Sequence, residues 1–139
     1  MIETMTEQGV FNRLLPLVQE VTGAKEGQVR MESGLMEDLG AESLDLLDLS
    51  FLIEETFDVT IAVDEFERRA TDRMSDGVYE RDGLLTEEGV AELRKALPEV
   101  PPEKIQPGMP KITVPKILTV GVFVHLIQRK LADVEEMAR

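Results

Sequence analysis

Cysteine is absent from this chain of 139 residues, which excludes a protein thiol nucleophile, a disulfide and a thiolate-bound metal. Any thioester chemistry would need an imported sulfur. Histidine occurs once, at His125, with no serine or acid at a spacing that identifies a partner. No nucleophile, base and orienting group assemble around it, so no enzyme is expected, and His125 reads as a surface or packing residue. Basic residues are scarce, 15 against 28 acidic ones for a net charge of −13. That potential repels phosphate backbones and anionic head groups, so nucleic acid is not expected as a partner. No apolar run reaches the roughly 18 residues of a membrane span, and the first residues lack the pattern of a secretory signal. The expectation is a cytoplasmic monomer with no membrane insertion. The Asp-x-Asp-x-Asp-Gly pattern of a calcium loop is missing as well, so no metal site is expected.

The length suits one core, hence a single domain over 1–139, and helical periodicity dominates it. Val10, Leu14, Leu17, Val18 and Val21 predict an amphipathic helix from Gln8 to Val21 that ends near Gly23. Pro16 within it predicts a bend, or a start nearer Leu15, because the ring removes a backbone donor. Leu44 to Thr56 holds neither glycine nor proline and is the strongest helix. Ser43 suits its cap position and Asp45 complements its dipole. Phe57, Val59 and Ile61 read as buried residues of a connecting loop. Phe66, Ala70 and Met74 recur every fourth residue and predict a short third helix between Asp64 and Met74. Asp76-Gly77 and Asp82-Gly83 mark turns.

Thr86 is placed to cap a further helix with Glu87 and Glu88 in its first turn and Val90, Leu93 and Leu97 on one face, stopped by Pro98. Six of the seven prolines lie between Pro98 and Pro115, where no long regular element fits. Thr119 then caps a closing helix whose Val120, Phe123, Val124, Ile127, Leu131 and Val134 face the core. The expected fold class is all-α: a helical bundle elaborated at about 64–118, between its second long helix and its last.

Charge is unevenly spread. From Met31 to Val63 there are nine acids (Glu32, Glu37, Asp38, Glu42, Asp45, Asp48, Glu54, Glu55, Asp58) and no base, leaving only −4 for the rest of the chain. This is either a solvated face or a surface read by a basic partner; like charges at neighbouring helical positions cost stability, and nothing interleaved relieves them. The apolar residues of the same helix form two sets. Leu46, Leu49 and Ile53 have core spacing, while Leu44, Leu47 and Phe51 repeat it on a neighbouring face. The second set is either buried too or exposed as a contact surface ringed by acids.

Asp38-Leu39-Gly40-Ala41-Glu42-Ser43-Leu44-Asp45, followed by an acidic helix ending in Glu54-Glu55-Thr56-Phe57, resembles the acyl carrier protein family, with its Asp-Leu-Gly-x-x-Ser-Leu context and Glu-Glu-x-Phe close. Glu42 stands where the family usually has Asp. The outer helices, with Thr119-Val120-Gly121 at the start of the last, resemble the family's first and last helices. The resemblance implies that Ser43 carries 4′-phosphopantetheine, installed by a phosphopantetheinyl transferase. It further implies that Glu42, Asp45, Asp48, Glu54 and Glu55, with Leu44, Leu47 and Phe51, meet acyl synthases and acyltransferases with basic surfaces. Leu46, Leu49, Ile61 and Phe123 would wall an acyl pocket.

Between the third helix and the last stand roughly fifty residues that ordinary family members lack. These are similar to the extended C-terminal halves of specialised carriers that deliver acyl chains to lipid A. The function implied is carriage of an acyl thioester in fatty acid or lipid A synthesis. A peptidyl or aminoacyl carrier, and an unmodified adaptor using the acidic helix, remain open.

Overall fold

A computed structural model describes residues 6–62, 64–74 and 77–137. Helix α1 (Glu7–Thr22) opens at Thr6, whose Oγ1 accepts the Gly9 amide at 3.0 Å, and closes at Gly23 in the left-handed conformation. Pro16 does not delay its start. The proline ring points outward and deprives the helix of one donor, while Val10, Leu14 and Val18 fasten the opposite side to the core.

Helix α2 (Ser43–Phe57) buries Leu46, Leu49, Ile53 and Phe57 and packs against α1. Its cap corrects the sequence expectation: Glu42 holds that position, extended at φ −105° and ψ 172°, and Ser43 is the first helical residue. Asp45 reaches back to accept the Glu42 amide at 2.8 Å, which satisfies an amide that the helix leaves open. The connection after Phe57 buries Val59 and Ile61 as the sequence implied.

The elaboration starts with α3 (Glu65–Asp72), held to the last helix by an edge-to-face contact of Phe66 with Phe123, 5.6 Å between ring centres, and by Lys130 to Glu65 at 2.8 Å. Of the two expected turns, Asp76 lies outside the described residues. Asp82-Gly83 joins two strands that periodicity could not reveal because each is two residues long, β1 (Glu80–Arg81) and β2 (Leu84–Leu85), paired antiparallel. Both turn residues have positive φ, 52° and 82°, which matches the twist of a tight hairpin. Thr86 caps α4 (Glu87–Ala96), its Oγ1 accepting the Gly89 amide at 2.9 Å and donating to the Val78 carbonyl. Helix α4 packs on α3. The proline-rich stretch holds two 3-10 helices, Pro102–Lys104 and Lys111–Ile117.

Helix α5 (Val120–Met137) follows Thr119, whose Oγ1 accepts the Val122 amide at 3.3 Å, and packs on α1. Buried residues of all five helices and of the elaboration belong to one hydrophobic cluster, in which Leu93, Leu97 and Ile105 are fully enclosed. Among the described residues no helix is long and apolar enough to cross a membrane.

Candidate functional site

The loop that delivers the chain to α2 is pinned on both sides. Asp38 Oδ2 accepts the Gly34 amide at 2.7 Å while the Asp38 amide donates to Gly34 O at 2.9 Å, closing a small ring. Leu35 donates to Leu118 O at 3.0 Å and Val120 to Ser33 O at 2.9 Å, so the loop pairs with the start of α5. Gly40 then takes φ +75°, a left-handed turn that a side chain would strain, and Ala41 buries beside it. Asp38, Leu39, Gly40 and Ala41 therefore act as the scaffold that sets Ser43 at the first position of α2.

Ser43 is exposed. Its hydroxyl has no hydrogen-bond partner among the described residues, and the amides of Ser43 and Leu44 likewise meet no acceptor. A free hydroxyl beside free amides at a helix start fits a phosphodiester, since the amides and the dipole favour an anion there. Asp45, the nearest carboxylate in the helix, is turned toward the Glu42 amide.

The two apolar sets of α2 separate cleanly. Leu46 and Leu49 are buried, whereas Leu44, Leu47 and Phe51 are 72%, 39% and 54% exposed, the arrangement of a contact surface. Glu42, Asp48 and Glu55 are exposed beside them. Glu54 is half-buried and accepts the Ile61 amide at 3.3 Å, so it ties down the connection after α2 while still lying on the acidic side.

Leu46, Leu49, Ile61 and Phe123 are all buried in the core, and none of them lines the one described groove. That groove, about 350 Å³ and open to solvent, runs between α1 and α2 and is walled by Glu20, Val21, Asp45, Asp48, Phe51 and Leu52. Glu20, Val21 and Leu52 escaped the sequence reading because only the packing of α1 on α2 brings them there. His125 also differs from expectation: it lies between the carboxylates of Glu7 and Glu99, at 2.8 and 2.6 Å. The sequence distances, 118 and 26 residues, carry no periodic signal of either contact.

No solved structure matches the chain significantly. A protein-family model described as a phosphopantetheine attachment site matches residues 12–71, a stretch running from within α1 through α2 into α3. Domains of this kind bind 4′-phosphopantetheine, act as non-catalytic carriers, and are served by a phosphopantetheinyl transferase and by the enzymes that use their cargo. Residues 12–71, which place Ser43 exposed at the start of α2, are thus similar to the phosphopantetheine-binding domains of acyl and peptidyl carrier proteins.

Proposed function

We propose that this chain is one carrier domain, elaborated at about 64–118, that holds an acyl chain as a thioester on 4′-phosphopantetheine joined to Ser43 and presents it in the cytoplasm to enzymes of fatty acid or lipid A synthesis. The observation that carries the proposal is the placement of Ser43, an accessible and unpartnered hydroxyl at the first position of α2, inside the matched stretch. The prosthetic group supplies the thiol that a chain without cysteine lacks. In the transfer, the Ser43 oxygen bonds to the phosphorus of coenzyme A, its proton leaves to a base of the transferase, and the nucleotide part departs. Leu44, Leu47 and Phe51 offer apolar area to the partner, with Glu42, Asp45, Asp48, Glu54 and Glu55 around them. Exposed ion pairs contribute about 0–1 kcal/mol each, so docking is weak, fast and salt-sensitive, as a shuttle requires. Leu46, Leu49, Ile61 and Phe123, being apolar and buried, suit walls that part to admit an acyl chain.

Incubation with coenzyme A and a broad-specificity phosphopantetheinyl transferase, followed by intact mass, tests the assignment. One phosphopantetheine per chain is expected for the wild type and none for Ser43→Ala. Failure of the wild type under conditions that modify a control carrier, or modification that persists in Ser43→Ala, overturns it. The mass of the load on the arm from the native host separates acyl from peptidyl cargo.

A further inference from the structure

His125 joins three elements that are remote in the chain. Its Nδ1 lies 2.6 Å from Glu99 Oε2, on the loop after α4, and its Nε2 lies 2.8 Å from Glu7 Oε2, in the first turn of α1. A neutral imidazole has a single N–H, so both contacts are hydrogen bonds to carboxylates only when the ring is an imidazolium. The two carboxylates are not equivalent. The Glu99 side chain is 10% exposed and its Oε1 is buried without a partner among the described residues, whereas the Glu7 side chain is 58% exposed. Stripped of a donor, Glu7 turns to water, but Glu99 has no water to turn to.

We propose that His125 is a protonation-dependent clasp: as an imidazolium it binds the start of α1 to α5 and the elaboration, and on losing its proton it keeps Glu99 through Nδ1–H and releases Glu7, freeing the first turn of α1 while the elaboration stays docked. The surrounding charges agree with this order. Glu7 faces the ring from α1 and Glu99 from the elaboration. On α5 itself Arg129, partly buried, also feels Glu99, together with Arg69 and Glu65 of α3 and Asp133. Arg129 thus keeps a positive charge in the neighbourhood of Glu99 when the ring is neutral, without bonding it among the described residues. Burial disfavours the charged ring, but the hydrogen bonds it donates to Glu99 and Glu7 prevail and raise the pKa of His125 above its ordinary 6.5. A raised histidine stabilises fully below its unfolded pKa and loses that contribution as pH rises through the folded value. The clasp is therefore shut at mildly acidic pH and opens above it.

The chain has one histidine, so the imidazole signals of the full-length protein report on His125 alone. Titration followed by nitrogen NMR should give a midpoint above 6.5, lowered more by Glu99→Gln than by Glu7→Gln, with the Nδ1–H tautomer above the midpoint. Across the midpoint the Val10 amide, bonded to Thr6 O, should lose hydrogen-exchange protection. The Leu97 and Val100 amides beside Glu99 should keep theirs. In Glu7→Gln the Val10 protection should no longer change with pH. A midpoint at or below 6.5, the Nε2–H tautomer, or loss at Leu97 and Val100 in place of Val10 would each overturn the clasp. Should Glu99→Gln fail to fold, the wild-type tautomer and the exposed Glu7→Gln variant decide the question.

Discussion

Lys104 Nζ lies 2.9 Å from Glu37 Oε1, which sets a cation of the elaboration on the loop that leads to Ser43. Among the described residues it is the only ion pair made by the all-acidic stretch from Met31 to Val63. The elaboration is thus built against the loop that precedes Ser43, and under the proposed function its charge bears on what docks there.

Because both partners of that pair are more than two-fifths exposed, Lys104→Glu should change stability by less than about 1 kcal/mol in a urea melt. It frees Glu37 and adds a negative charge beside the loop, so the KM of the transferase for the carrier should fall at low salt and converge on the wild-type value at high salt. An unchanged KM at low salt would show that Glu37 and Lys104 lie outside the docking surface.

Gly89 is the point where α4 meets the hairpin: a Cβ there would fall 2.2 Å from the Tyr79 carbonyl oxygen, a backbone atom. Gly89→Ala should cost about 1–3 kcal/mol as overpacking does, with lost exchange protection concentrated in β1, β2 and α4. A variant as stable as wild type would mean that hairpin and helix can separate without consequence.

The two faces of α2 predict opposite phenotypes. Leu49→Ala removes a fully buried side chain and should cost about 2–5 kcal/mol in thermal or urea unfolding. Phe51→Ala, at an exposed position, should stay within about 0.5 kcal/mol of wild type and yet weaken capture by a partner acyltransferase. Equal binding by Phe51→Ala and wild type would remove Phe51 from the contact surface.

Asp45 serves the fold through the Glu42 amide at 2.8 Å, and the proposed function gives its charge a second use in docking. Asp45→Ala should lower stability by about 1 kcal/mol. Asp45→Asn keeps an acceptor for that amide, so it should regain most of the stability while the transferase KM still rises. If the amide restores KM as well as stability, the carboxylate has no part in docking.

Local rules made much of this molecule readable in advance. Thr86 and Thr119 cap helices because a hydroxyl before a periodic run has few better uses, and Asp82-Gly83 turns because both residues tolerate positive φ. The Asp38 to Phe57 pattern singled out Ser43 without any coordinates. At α2 they faltered: Ser43 suits the cap by residue type, but Glu42 holds it, with Asp45 bonding its amide. Pro16 suggests a bend or a start nearer Leu15, yet α1 starts at Glu7 because packing of the opposite face holds its first turns in place.

By itself, then, the sequence determined the helices, the threonine caps of α4 and α5, the acidic stretch and the serine that opens α2, since each depends on residues a few positions apart. Only the tertiary structure decided that Leu44, Leu47 and Phe51 face water, that Lys104 meets Glu37, and that His125 bridges Glu7 and Glu99. Those are contacts and exposures set by how whole elements pack, and residues separated by tens of positions leave no periodic trace of meeting.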